Sequence, residues 1–283
     1  SHFTILPDFR ANAGRGSLSP PVSHSLRMSR LRRALRCGAV GAGGLSVLGF
    51  GQAAHLRWSY RCPVEPLGER HGRAGHAFQG KPVRLLFVGD SIAVGVGAKV
   101  AAPLQAACAE RLAKLQRQPV EWRTVAANGA DVRELHALLG GPKVIDLGFD
   151  IAVVLCGVND GKKVLQGRWP SHFREDLAAL CGTLRRAAPE GVITVPRLLG
   201  HVEAPLFQTW PMCHLVDVLF GQFEAQKMTL AADGVRCSEP DSLVLSTDQR
   251  LWSVDGVHPS CEGYRRIGDW LGAHLARLGS RVE

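Results

Sequence analysis

Five residues scattered along the 283-residue chain could together perform acyl transfer: Ser91, Gly129, Asn159, Asp255 and His258. A serine hydroxyl becomes a nucleophile only when a neighbouring base takes its proton, and the base works best when a carboxylate fixes its tautomer. The run Asp255-Gly256-Val257-His258 places such a carboxylate three residues ahead of an imidazole on one loop. Charge developing on the attacked carbonyl also needs donors. Gly129 lets the backbone approach a ligand closely, and Asn159 is a neutral amide with no protonation equilibrium. Singly, each has a plainer role. Ser91 could cap a helix, Gly129 and Asp255-Gly256 could be turns, and Asn159-Asp160 a capping pair. His258 is one of eleven histidines, and Asp90 and Asp160 read as loop-holding residues. Chemistry requires that all five be delivered to one place.

The pattern of elements does deliver them. Val83 to Val88 is an apolar run broken only by Arg84, as in a strand buried on both faces. It ends in Gly89-Asp90-Ser91. Val120 to Ala126 reads as a second strand ending in Ala127-Asn128-Gly129-Ala130, and Ile151 to Cys156 as a third ending in Gly157-Val158-Asn159-Asp160. A fourth spans Val192 to Val195 and a short fifth lies near Val235. Apolar spacing predicts helices over 98–115, Val132 to Leu139, Phe173 to Ala187 and Leu215 to Ala231. A last helix follows Ser260, a good N-cap, with Tyr264, Ile267, Leu271, Leu275 and Leu278 on one face. This alternation predicts an α/β protein of three layers, with a flavodoxin-like parallel sheet of about five strands. Neighbouring strands lie only about 4.8 Å apart, so the loops at their carboxyl ends share one small region.

In their order and strand-end placement, the four blocks resemble those of the SGNH/GDSL hydrolases, the GDSL-type esterases and lipases that include lysophospholipase-like enzymes. The first block reads Gly-Asp-Ser-Ile, where the family name has Leu in fourth place. The resemblance covers about residues 83 to 278. It implies that Ser91 attacks the carbonyl, His258 takes its proton and Asp255 orients the imidazole. It also implies an oxyanion hole built from the backbone N–H groups of Ser91 and Gly129 and the side-chain amide of Asn159. The implied substrates are small-molecule or lipid carboxylic esters, such as short-chain acyl esters, lysophospholipids or acetylated sugars, cleaved through an acyl-serine intermediate without a metal or organic cofactor. The same residues could serve a thioesterase or acyltransferase. A non-catalytic binding domain on the same fold is the reading from another class, against which the intact Ser91, Asn159 and His258 argue. Pro196 to Met212 matches no motif, and Leu198, Leu199, Leu206, Phe207, Trp210 and Met212 suit a substrate pocket or lid as well as a core. The glycine-rich stretch Gly89 to Gly97 fails the nucleotide templates, with Val100 where a dinucleotide fingerprint needs glycine and no Gly-Lys-Ser/Thr.

The formal charge of +9 is confined to the first 82 residues, which hold 12 Lys and Arg against 3 Asp and Glu. The other 22 basic and 22 acidic residues cancel, so the main domain has no electrostatic footprint for nucleic acid. The cysteines show no metal-ligand spacing; Cys156 reads as a small buried hydrophobe. Residues 1–27 read as a disordered or non-native leader, with Met28 as an internal start. In 28–56, four arginines (Arg30, Arg32, Arg33 and Arg36) precede the charge-free run Cys37 to Ala54, the layout of a signal peptide or N-terminal membrane anchor. Export or membrane association through that segment is the expectation, and a cytoplasmic location if it is not a signal. Residues 57–82, with Pro63, Pro66, Gly68, Gly72, Gly75 and Gly80, read as a linker, and 83–283 as the hydrolase domain.

Overall fold

The computed structural model describes residues 48–49, 51–52, 54–56, 58–140, 148–197, 203–237 and 248–279. The chain divides into a unit Ser1–Leu48 and a unit Gly49–Glu283; of the first only Leu48 is described. Most of the candidate signal or anchor segment, 28–56, therefore lies outside the described residues. Among these, no helix is long and apolar enough to cross a membrane.

The second unit is a three-layer α/β fold. Its sheet is formed by β1 (His71–Ala74), β2 (Val83–Gly89), β3 (Val120–Ala126), β4 (Ile151–Leu155), β5 (Val192–Val195) and β6 (Arg236–Cys237). They run in the order β1-β3-β2-β4-β5-β6. All neighbours are parallel except β1, which pairs antiparallel with β3. Residues 49–59 are helical where described (α1). The other helices are α2 (Ser91–Val94), α3 (Pro103–Gln116), α4 (Val132–Leu139), α5 (Val158–Lys162), α6 (Pro170–Ala187), α7 (Met212–Thr229) and α8 (Cys261–Gly279).

Period-two alternation explains the layers. Leu85 and Phe87 of β2 pack with Leu104, Cys108 and Leu112 of α3 and Tyr264, Ile267 and Leu271 of α8. Leu86 and Val88, on the opposite face, pack with Val132 and Leu135 of α4, Phe173, Leu177 and Leu180 of α6, and Phe223 of α7. Each fully buried Leu, Ile or Phe contributes roughly 1.5–3 kcal/mol, so a strand apolar on both faces is held at the centre of the sheet. The chain leaves β2 to one side for β3 and returns to its other side for β4. That reversal opens a crevice at the carboxyl end of β2, where ligands bind in folds of this kind.

The sheet has one strand more than sequence pattern predicts, and the extra strand lies inside 57–82, the stretch expected to be a linker. His-Gly-Arg-Ala has no apolar alternation because an edge strand buries little; only Ala74 is buried. Gly72 is needed there for close approach, since a Cβ would lie 2.7 Å from the Trp122 ring of β3.

Candidate active site

Strand β2 ends in Gly89, and the chain turns at once into the single turn of α2. Asp90 caps that turn, its Oδ1 accepting from the Ile92 N–H at 3.0 Å. The cap makes Ser91 the first helical residue and holds it at the crevice, with 7% of its surface exposed. The imidazole comes from the segment between Trp252 and Pro259, which pinches back on itself through an antiparallel bridge between these two residues and a 2.8 Å bond from the Ser253 N–H to the His258 carbonyl. Within that pinch Asp255 Oδ1 accepts from the backbone N–H groups of Val257 and His258, each at 3.1 Å, and from Ser253 Oγ at 3.1 Å. A short carboxylate side chain that binds its own following backbone explains the three-residue spacing of the block.

Asp255 Oδ2 then meets His258 Nδ1 at 2.6 Å, and His258 Nε2 meets Ser91 Oγ at 3.0 Å. Hydroxyl, imidazole and carboxylate thus stand in line, with His258 4% exposed. Burial pushes the Asp255 carboxyl up, but bonds from the His258 ring and backbone, Tyr60 and Val257 outweigh it and hold the group well below the usual carboxylate range. A carboxylate that stays charged keeps a proton on Nδ1 and leaves Nε2 free to take one from Ser91. The loop after α2 reaches this assembly through Gly97, at φ +92°, where a Cβ would sit 3.0 Å from that of His258. Tyr264 of α8 fastens the same loop, donating to the Val96 carbonyl at 2.7 Å.

The two residues read as oxyanion donors follow the strands that flank β2, Gly129 after β3 and Asn159 after β4. Gly129 follows β3 in a turn at φ +75°, exposed, with nothing within 4 Å of where a Cβ would project. Asn159 lies on the first turn of α5 and is buried. Its Nδ2 donates to the Ala130 carbonyl at 3.0 Å and to Asp90 Oδ2 at 3.2 Å, and its Oδ1 accepts from Lys162 Nζ at 3.4 Å. Both N–H bonds are thus engaged in this state, and donation to an oxyanion requires one of them to be shared or exchanged. Through these bonds Asn159 ties together the ends of β2, β3 and β4. Asp160, as expected from sequence, holds structure: fully buried, it accepts from the Val132 N–H at 3.2 Å and from Arg168 Nε and Nη2 at 2.9 and 2.6 Å. Arg168 is in turn paired with Asp176 of α6.

A cleft of about 640 Å³, its mouth included, opens beside Ser91 and His258. Ile92, Leu155, Val158 and Phe207 give it apolar walls, and Lys162, Arg197 and Lys227 add positive charge. Lys227 is buried at its base, bonded to the Pro196 carbonyl at 3.1 Å and paired with Glu224. Of the six residues left between pocket and core, Phe207 lines the cleft, Met212 packs with Val216 and Phe220, and Trp210 is exposed. Leu206 donates its N–H to the Gly256 carbonyl, and Leu198 and Leu199 lie outside the described residues.

Two site residues carry no sequence signal. Lys227 sits on a helix whose apolar pattern says nothing of a buried ammonium. Tyr60, directly after α1, donates to Asp255 Oδ2 at 2.8 Å and lies 3.4 Å from His258 Nδ1, although it belongs to no recognisable block.

A hydroxyl, an imidazole and a carboxylate stand in line at the switch point of a flavodoxin-like sheet, the groups a hydrolase-type site needs. The GDSL-like lipase/acylhydrolase family model matches residues 87–266, and the chain belongs to that family. Solved structures with the same fold include a lipase from a goat rumen metagenome, 19% identical, covering 69% of this chain and 97% of that one at a TM-score of 0.56. Others are a lipase/acylhydrolase from Enterococcus faecalis, 16% identical over 69% and 96% of the two chains at 0.53, and a mutant acetyl-xylooligosaccharide esterase from Geobacillus stearothermophilus, 18% identical over 71% and 94% at 0.50. No curated protein matches the chain.

Proposed function

We propose that the protein is a serine esterase that transfers the acyl group of a carboxylic ester to Ser91 and then to water. The observation that carries this reading is the line of Ser91 Oγ, His258 and Asp255, at 3.0 and 2.6 Å. As Ser91 Oγ bonds to the ester carbon, its proton passes to His258 Nε2 and the carbonyl electrons move onto oxygen. The oxyanion is met by the N–H groups of Ser91 and Gly129 and, once it turns from Asp90 or Ala130, by the Asn159 amide. Collapse breaks the bond to the alcohol, which leaves with the proton from Nε2. Water, deprotonated by the same nitrogen, then releases the acid.

The cavity beside Ser91 and His258 is small, about 50 Å³, which favours short-chain acyl esters, including acetylated sugars, over long-chain lipids. The test is hydrolysis of p-nitrophenyl esters from acetate to palmitate, beside labelling by a fluorophosphonate. We expect the shortest chains to be cleaved fastest, and Ser91→Ala to lose both hydrolysis and labelling while keeping its fold. A folded Ser91→Ala protein with wild-type activity would overturn the mechanism.

A further inference from the structure

We propose that Tyr60 is a positioning residue for the catalytic pair, and that docking of the segment 49–60 on the hydrolase domain is a condition of full activity. This rests on the serine-esterase reading. The tyrosine hydroxyl donates to Asp255 Oδ2 at 2.8 Å, the oxygen that also accepts from His258 Nδ1 at 2.6 Å. It lies 3.4 Å from Nδ1 itself. The other carboxylate oxygen is held by its own loop, so Tyr60 supplies the contact that fixes Oδ2 from outside that loop. Burial and the Asp255 carboxylate push the hydroxyl upward, so it keeps its proton and acts as a donor at every working pH.

The segment that brings Tyr60 has its own seat. Leu56 packs with Phe207 against Met212, Val216 and Phe220 of α7, and Gln52 Nε2 donates to the Trp210 carbonyl at 3.0 Å. Two residues past Tyr60, Cys62 Sγ accepts from Asn128 Nδ2 at 3.7 Å, beside Gly129. The segment therefore runs from the cleft wall, across the acid–base pair, to the oxyanion turn. A chain that only tethered the domain would have no need of a half-buried leucine and a tyrosine aimed at the catalytic carboxylate.

A donor on Oδ2 drains charge from the carboxylate and so reduces its support of the imidazolium. Without the hydroxyl, Asp255 stabilises protonated His258 more strongly, and the acid limb of the pH–kcat/KM profile moves to higher pH. The other titratable groups facing the pair are Cys62 of the same segment, Asp90 before α2, Lys162 of α5, Lys227 of α7 and Tyr264 of α8; none is changed by the substitution. In the full chain, Tyr60→Phe should shift the acid limb upward by about half a pH unit; because the pair also loses the contact that orients it, and misorientation outweighs the gain in basicity, the plateau of kcat/KM should fall about tenfold. KM should change little. Leu56→Asp, which unseats the segment without altering Tyr60 or the acid–base pair, should reproduce the shift and the loss, and adding Tyr60→Phe to it should cost nothing more. A Tyr60→Phe enzyme with the wild-type profile, or a Leu56→Asp enzyme that keeps it, would overturn the inference. Ser91→Ala, measured alongside, separates this failure from that of the esterase reading: if it is inactive while Tyr60→Phe is normal, only the role of Tyr60 falls.

Discussion

Asp255 reaches its imidazole with its other oxygen already bonded to two backbone N–H groups and a serine hydroxyl, so the orientation of the base is set before substrate arrives. Those bonds keep Asp255 ionised far below neutrality, so its own protonation does not limit activity in the working range. We expect kcat/KM to rise with pH and level off once the imidazole is neutral; a rate flat from pH 5 to 8 would exclude the assigned base. Asn159 is the residue whose chemistry and architecture are hardest to separate, since its amide both braces three strand ends and faces the carbonyl in the proposed mechanism. If it donates to the developing charge, Asn159→Ala lowers kcat about 10²- to 10³-fold with little change in KM. Single-turnover kinetics beside a melting curve give the answer, and a full-speed variant would leave only the brace.

Charge holds the elements around the site as firmly as packing does. Asp131 caps α4 in a capping box with Glu134 and takes ion pairs from Arg133 at 2.6 Å and Lys163 at 2.9 Å. Burial alone raises its carboxyl, but Arg133, Lys163 and the Glu134 N–H overcome this and lower it below its ordinary value. A carboxyl lowered by folding takes up its proton first in the unfolded chain. Its contribution is therefore complete above about pH 5 and lost as the pH falls through the acid range. Asp131→Asn should flatten the fall of stability below that pH and reduce stability at neutrality by about 1 kcal/mol, the scale of part-exposed ion pairs lost while the asparagine still caps the helix, as urea titrations at several pH values can show. Much of this layer was legible in advance. Val132–Leu139 and Val192–Val195 were predicted to the residue, and Ser260 caps α8 through a bond from the Gly263 N–H. The misses have local causes. Helix α3 begins at Pro103 rather than near 98 because Ala102 adopts a left-handed conformation just before the proline. Strand β1 escapes because a paired edge needs no apolar alternation, and Tyr60 because its partner lies 195 residues away. The four family blocks, by contrast, were readable because each is short: three follow the ends of β2, β3 and β4, and the fourth keeps its Asp and His on one loop.

For the whole molecule, the boundary suggested by charge and composition falls near residue 82, but the fold begins earlier. A chain starting at Val83 lacks β1, which pairs with β3 over His71–Ala74, and exposes that edge. We expect such a fragment to melt several degrees lower than one starting at residue 49 and to aggregate more readily; equal melting temperatures would restore the boundary at 82. The nucleophile and its base, meanwhile, stand 167 residues apart in the chain. At about 5–20 residues per second of synthesis, roughly 10–30 s separate the emergence of Ser91 from that of His258. On the proposed mechanism, a nascent chain carries throughout that interval a hydroxyl with nothing to deprotonate it. Hydrolysis would then wait for the loop that directly precedes the last helix, and would report that nearly the whole domain has been made.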